Sequence, residues 1–213
     1  MGLVATAAIA ILGCSKSTSP GGAATYAVTG GVTITGVLRD ASGVSTGTRV
    51  LANASGISVY LVGSSGVVDS ALTVLGRYRL VGPPGSGYAV RARMGPTLAV
   101  SSAPVTIATA DVAITAPLEL GSVGNLLAFP NPFASNLSIR FPLPTASVVG
   151  LSVFSLSDLR VATLIPGNPL PGPVHQVSWN GNGDAGQALP DAPYWIVFSG
   201  AGQDWGELVF KGP

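Results

Sequence analysis

Histidine and cysteine are almost absent from this chain, since each occurs only once among its 213 residues. The single histidine, His175, cannot form a site of several imidazole ligands or pass a proton to a second histidine. The single cysteine, Cys14, excludes a disulfide within the chain. Both absences remove large classes of catalytic and metal-binding chemistry.

Charged residues are also scarce. They make up 9% of the chain, against roughly 25% in an ordinary soluble domain. The net charge of +1 gives no reason to expect nucleic acid as a partner. The nine carboxylates are scattered, and no pair recurs in a way that suggests glycosidase chemistry. We therefore predict that the chain is not an enzyme and needs no cofactor.

The second half of the chain instead carries the alternation of half-buried strands. Residues 137–141 and 149–153 alternate apolar with polar or small side chains, and residues 194–198 are assigned the same period of two. Six or seven such strands in about 85 residues fit a sandwich of immunoglobulin type. Trp179 ends a further strand, and its size makes it the predicted core anchor.

The first half predicts a second all-β unit. Its predicted strands cover residues 32–40, 57–62, 67–73, 77–81, 88–94 and 105–114. Turns rich in glycine and serine separate several of these strands. Residues 116–128 are predicted to be a short linker between the two units.

Three runs of the second half resemble a known family. They are Pro130-Asn131-Pro132-Phe133, Val177-Ser178-Trp179-Asn180-Gly181 and Leu208-Val209-Phe210-Lys211. In this order they resemble the type A C-terminal sorting domain of type IX secretion cargo, and the similar immunoglobulin-like domain of flagellar hook-capping proteins. The resemblance implies a domain that serves as an address for the secretion and sorting machinery, with cleavage near Gly124 on export.

Two runs of the first half are similar to another family. Gly76-Arg77-Tyr78-Arg79-Leu80, and then the loop Pro83–Gly87 followed by Tyr88, resemble the carboxypeptidase regulatory-like, or transthyretin-like, sandwich of seven strands. The resemblance implies a structural or binding module rather than a reaction centre.

The N-terminus carries an apolar run, Leu3–Leu12. Its ten residues are too few to cross a bilayer core, which needs roughly 20, but they fit the core of a signal peptide. The closing run Ile11-Leu12-Gly13-Cys14 resembles the lipobox of bacterial lipoproteins. The resemblance implies that Cys14 is lipidated and anchors the chain to the outer membrane through a flexible tether.

These patterns together predict an all-β chain of two tandem small antiparallel β-sandwiches, transthyretin-like and then immunoglobulin-like, after a signal peptide and a flexible tether. The predicted boundaries are residues 1–13 for the signal peptide, 14–28 for the lipidated cysteine and tether, 29–120 for the first sandwich and 121–213 for the second.

Four arginines of the first sandwich are predicted to share one surface. If residues 77–81 and 88–94 form a hairpin, the strand period of two places the four together on its solvent face; they are Arg77, Arg79, Arg91 and Arg93. Guanidinium groups bind carboxylate and phosphate oxygens, so the patch predicts weak binding of an anionic surface polysaccharide. The alternative is a solvated face balanced by Asp40 or Asp69.

One loop of the second sandwich offers oxygen ligands at the spacing of a calcium loop, namely Asn180, Asn182, Asp184 and Asp191. Only two of these residues are carboxylates, and Ala185 stands where the calcium loop needs glycine. Asparagine and glycine are also the usual turn formers. We therefore favour a plain turn over a metal site.

Three hypotheses of function follow. The first is a non-enzymatic exported protein of the cell envelope or extracellular space, whose second sandwich is read by the sorting machinery. The second is an outer-membrane lipoprotein whose two sandwiches are adhesive or scaffold modules. The third, a hydrolase or carbohydrate-processing enzyme, is disfavoured because two small sandwiches use up the whole chain.

Overall fold

The computed structural model describes residues 23–212. In chain order its strands are β1 (Tyr26–Arg39), β2 (Ser45–Leu51), β3 (Ser58–Gly63), β4 (Gly66–Leu72), β5 (Arg77–Gly82), β6 (Gly85–Arg93), β7 (Ala99–Ser101), β8 (Val105–Ile107), β9 (Val112–Ala113), β10 (Leu118–Leu120), β11 (Leu127–Phe129), β12 (Leu137–Pro142), β13 (Ser147–Ser155), β14 (Arg160–Leu170), β15 (Val174–Trp179), β16 (Pro193–Gly200) and β17 (Gln203–Phe210). The prediction of an all-β fold is confirmed. No membrane-spanning helix is found within this described range. The predicted signal peptide and Cys14 lie outside it.

Strand β1 runs the length of one sheet of the first sandwich. Its first half pairs with β5 and β9, and its second half pairs with β2 and β10. The opposite sheet has the order β4-β3-β6-β7, with β8 also paired to β6. Val28 and Ile34 from one sheet and Leu61 and Val90 from the other lie in a single buried cluster. The two sheets therefore face each other across one core.

The second sandwich packs a sheet of β11-β12-β15 against a sheet of β14-β13-β16-β17. Trp179 is only 2% exposed, so its predicted place in the core is confirmed. Its ring lies 5.2 Å from that of Phe133 and 5.7 Å from that of Tyr194, measured between centroids. Its indole N–H donates a hydrogen bond to the carbonyl of Asn182 at 2.9 Å, as a buried indole requires.

Two segments differ from their predicted structure because their pairing is not local. The strand predicted over residues 105–114 is two strands, since β8 pairs with β6 while β9 pairs with β1 in the opposite sheet. Between them, the Asp111 carboxylate accepts a hydrogen bond from the Ala27 N–H at 2.8 Å, which fastens the crossing to the first sheet.

The predicted linker is also more structured than expected. Residues 116–128 contain β10, which adds to β1, and β11, which adds to β12, so the linker prediction is wrong for those strands. Strand β2 has no counterpart among the predictions. Six of its seven residues are exposed, so no apolar alternation marks it.

Candidate functional site at the junction of the two sandwiches

The outer face of the second sandwich is covered by the first. Along β16, Tyr194, Ile196 and Phe198 belong to the core of the second sandwich, while Trp195 and Val197 belong to the buried cluster of the first. A strand buried on both faces reads as a continuous apolar run, and residues 194–198 are such a run. Assigning them a period of two overlooked this signal.

The contact between this outer face and the first sandwich is called the junction below. Five side chains of the second sandwich form it, all of them buried in the core cluster of the first: Phe154, Trp195, Val197, Leu208 and Phe210. Trp195 is fully buried. The two sandwiches therefore share apolar core at the junction.

Asn131 fastens the edge of the junction with its amide side chain and its backbone. The side-chain nitrogen donates to the carbonyls of Val37 at 2.7 Å and Leu208 at 2.9 Å, and the side-chain oxygen accepts from the Phe210 N–H at 2.8 Å. Its backbone N–H and carbonyl both pair with Arg39 of β1, at 2.9 and 2.8 Å. With no exposed surface, Asn131 has every polar group satisfied within the protein, as burial demands.

Two ion pairs cross the junction, and both hold a poorly solvated carboxylate. Arg39 Nε lies 3.8 Å from Glu207 Oε1, and Arg93 Nη1 lies 3.7 Å from Asp158 Oδ2. Burial raises the pKa of Glu207, an effect that a hydrogen bond from Ser122 and the charge of Arg39 oppose. Burial likewise raises the pKa of Asp158 against the charge of Arg93. In both cases, desolvation outweighs the partner cation.

We expect Glu207→Gln to change the pH dependence of stability. The raised pKa means that Glu207 contributes stability below its usual pKa of 4.5, and that this contribution is lost as the pH rises through the raised value. The melting temperature of the variant, compared with that of the parent at the same pH, should therefore rise as the pH increases above about 4.5. Thermal unfolding across this range measures the difference. Glu119→Gln, at an exposed residue, is the control; the same profile for both variants would contradict the assignment.

The structure does not bring the four predicted arginines together. Strand β5 pairs with β1, and β6 pairs with β3, β7 and β8, so the hairpin between them is wrong. The buried residues of β5 and β6 face the same core from opposite sheets. Arg77 and Arg79 therefore lie on the outer side of one sheet, and Arg91 and Arg93 lie on the outer side of the other. The predicted single patch is therefore wrong, because the period of two fixes a face but not a partner strand. Arg93 instead lies over the Tyr60 ring, 4.5 Å from its centroid.

The four candidate ligands of the second sandwich have separate partners. Asn180 accepts from the N–H of Asn182 at 3.1 Å, and Asp184 accepts from the N–H of Thr163 at 2.6 Å. Asp191 binds the Lys211 ammonium at 2.8 Å. Asn182 is paired with Ala188 across the turn. Within the described residues these side chains hold the turn and its neighbours in place, and no group of three metal-ligating residues occurs.

Two residues with catalytic potential lie in structural positions. His175 Nε2 contacts the carbonyl of Pro171, and its ring stacks on Phe141 with centroids 5.6 Å apart. Residues 43–47 match the spacing Gly-x-Ser-x-Gly of a hydrolase nucleophile, which sequence analysis overlooked. That motif requires a sharp turn from a strand into a helix. Ser45 instead begins strand β2 and pairs with Arg39 of β1.

A cleft of about 700 Å³ opens beside the junction, and both sandwiches line it. Pro96 and Thr97 of the first sandwich form one side. The floor is a partly exposed area of the second sandwich's sheet, with small or hydroxyl-bearing residues, namely Gly150, Ser152, Thr163, Ser199 and Gly200. Arg160 is the one charged residue of this lining. Such a surface can offer hydrogen bonds and one cation, but it holds no nucleophile paired with a base.

Comparisons with known proteins identify no family for this chain. No protein-family model and no curated protein matches it. Among solved structures, it is similar to a candidate carbohydrate binding protein from Bacteroides uniformis, at 12% identity and a TM-score of 0.31, over 85% of this chain and 99% of that one.

Two further solved structures are similar at the same low level. A DUF3823 family protein from Bacteroides ovatus has 13% identity and a TM-score of 0.30, over 85% of this chain and 98% of that one. Dimeric latent PorU from Porphyromonas gingivalis has 14% identity and a TM-score of 0.29, over 74% of this chain but only 16% of PorU. Likenesses this distant carry no argument about function.

Proposed function

We propose that this chain is a non-enzymatic exported protein of the bacterial cell envelope or extracellular space, in which two β-sandwiches act as one rigid structural or binding module. The observation that supports a single rigid module is the junction, where Trp195 and Val197 of the second sandwich lie in the core cluster of the first. Side chains buried on both sides of one sheet resist relative motion of the two units, because packed interiors are dense and deform little.

The residues behind the sorting-domain resemblance support a structural role for the second sandwich. Asn131, Trp179 and Phe210 are all buried, so they specify the fold rather than a surface for a translocon to read. A sorting machinery would have to recognise the exposed faces of the second sandwich. We keep export through that machinery as one route for this protein. A lipid on Cys14, with the second sandwich as part of an adhesive or scaffold module, is the other.

Mass spectrometry of the mature N- and C-termini tests this proposal. The full chain is produced in a bacterium that has both the lipoprotein and the type IX pathways. We expect removal of residues 1–13. On the lipoprotein route Cys14 also carries a diacylglycerol group, and Cys14→Ala leaves the detergent phase while the control Ser17→Ala stays in it. A chain that keeps residues 1–13 and remains in the cytoplasm would contradict export.

The C-terminus read in the same experiment separates the two routes. A new terminus near Gly124 favours the sorting route, and an intact terminus favours the lipoprotein scaffold. Truncation of the second sandwich cannot replace this measurement. Removing residues 121–213 would also strip five buried side chains from the core of the first sandwich, so loss of export could reflect misfolding alone.

A further inference from the structure

The outer face of the second sandwich would be an apolar surface if it stood alone. Its exposed side chains would include two phenylalanines, a tryptophan, a valine and a leucine, at Phe154, Phe210, Trp195, Val197 and Leu208. Isolated proteins seldom expose a contiguous apolar patch of this kind, and such patches mark interaction sites. This sheet face is therefore a docking surface, and in the intact chain the first sandwich occupies it.

Three glycines allow the two sides of the junction to pack closely against each other. A Cβ on Gly36 of β1 would lie 2.6 Å from the Phe210 ring, and one on Gly95 would lie 2.9 Å from Val197. In the other direction, a Cβ on Gly206 of β17 would lie 2.7 Å from Leu98. Each glycine therefore permits an approach that a side chain would block. Complementarity is built into the backbones on both sides of the junction.

The covalent connection between the sandwiches is short, and part of it lies against β17. Val123 and Gly206 exchange two backbone hydrogen bonds, at 2.7 and 2.9 Å, and Gly124 packs on the Trp205 ring. Val123, Gly124 and Asn125 are exposed. The bonds of Asn131 and the apolar junction lie outside residues 121–125, so a cut there would leave them in place.

We propose that the first sandwich binds this docking surface tightly enough that the two stay together after the chain is cut at residues 121–125. The partner of the surface is then the N-terminal fragment of this same chain. Cleavage near Gly124 would produce a nicked particle and would not release the second sandwich. This inference stands on the junction alone and does not require either route of export.

A protease site inserted between Gly124 and Asn125 of the full chain tests the inference. The protein is cut to completion, and gel filtration under native conditions is run over a dilution series. We expect both fragments to elute in one peak at the volume of the uncut protein, and to separate only in urea. Two separate native peaks, from a protein that was folded and monomeric before cutting, would overturn the proposal.

Two glycine variants of strand β1 provide a matched comparison. Gly36→Ala places its Cβ 2.6 Å from Phe210, whereas Gly31→Ala meets nothing closer than 3.7 Å. After cutting and dilution, we expect the Gly36→Ala fragments to separate at a concentration at least about tenfold higher than the parent fragments do. This corresponds to a loss of about 1.4 kcal/mol in the free energy of association. The Gly31→Ala fragments should separate at the same concentration as the parent fragments. Equal separation of both variants would show that the junction does not hold the fragments. If Gly36→Ala fails to fold, the parent's result still decides.

Discussion

Replacing Trp195 by alanine is expected to lower the free energy of unfolding of the whole chain by about 3–5 kcal/mol. The side chain is fully buried in a cluster that holds residues of both sandwiches. Its removal leaves a large cavity at the junction, and the surrounding strands can collapse into it only in part. A loss of this size is a large fraction of the stability of an ordinary domain, about 5–15 kcal/mol.

Urea unfolding followed by far-ultraviolet circular dichroism measures this loss. Trp179→Ala is the matched comparison, because Trp179 is also a buried tryptophan but lies in the core of the second sandwich. Both variants should lose about 3–5 kcal/mol, because each removes a buried tryptophan side chain. If the free energy of unfolding of Trp195→Ala equals that of the parent, the Trp195 side chain is not tightly packed at the junction, and the two sandwiches do not share a core there.

Asn131→Asp is expected to have the second large effect, with no change in side-chain size. The amide nitrogen donates to the carbonyls of Val37 and Leu208, and aspartate places an oxygen there instead. Each buried carbonyl left without its donor costs about 1–3 kcal/mol, so the variant should lose about 2–6 kcal/mol. An ionised carboxylate at this fully buried position would add a desolvation penalty.

The exposed Asn136 provides the control for this substitution. Thermal unfolding of Asn131→Asp and Asn136→Asp should show a large loss of melting temperature for the first and almost none for the second. Similar melting temperatures for the two variants would mean that Asn131 does not fasten the junction, and the hydrogen bonds described for it would have to be abandoned.

The sequence predicts strand faces better than it predicts strand partners. In β5, Tyr78 and Leu80 are buried while Arg77 and Arg79 are exposed, as the period of two requires. The partner of β5 is nevertheless β1, which is separated from it by three intervening strands, rather than the adjacent β6. Local alternation carries no information on such long-range pairing, and this is why the predicted arginine patch does not form.

The sequence predicts only some features of the junction. The unbroken apolar run at residues 194–198 indicates a strand covered on both faces, and Asn131 belongs to the motif that carries the sorting-domain resemblance. Neither signal shows which surface covers β16. The glycines that allow the contact, such as Gly36 and Gly95, have the same appearance in the sequence as turn glycines. Only the paired strands reveal that they face Phe210 and Val197.

The junction also bears on whether the second sandwich can be a separable sorting domain. An address that is removed after export is expected to be a separate unit with its own surface. Here the second sandwich completes the core of the first, so a variant that disturbs one is expected to disturb the other. Export experiments on this protein therefore need point variants at exposed residues, together with a direct measurement of folding.

Hydrogen exchange followed by mass spectrometry, on the parent and on Trp195→Ala, tests the shared core most directly. The slowest amides in β3 and β6 report on the first sandwich, and those in β12 and β16 report on the second, because core strands open only with global unfolding. The shared core predicts that the variant loses the same free energy of protection in both sandwiches. If β3 and β6 keep the protection of the parent while β12 and β16 lose theirs, the two sandwiches are independent and the account is wrong.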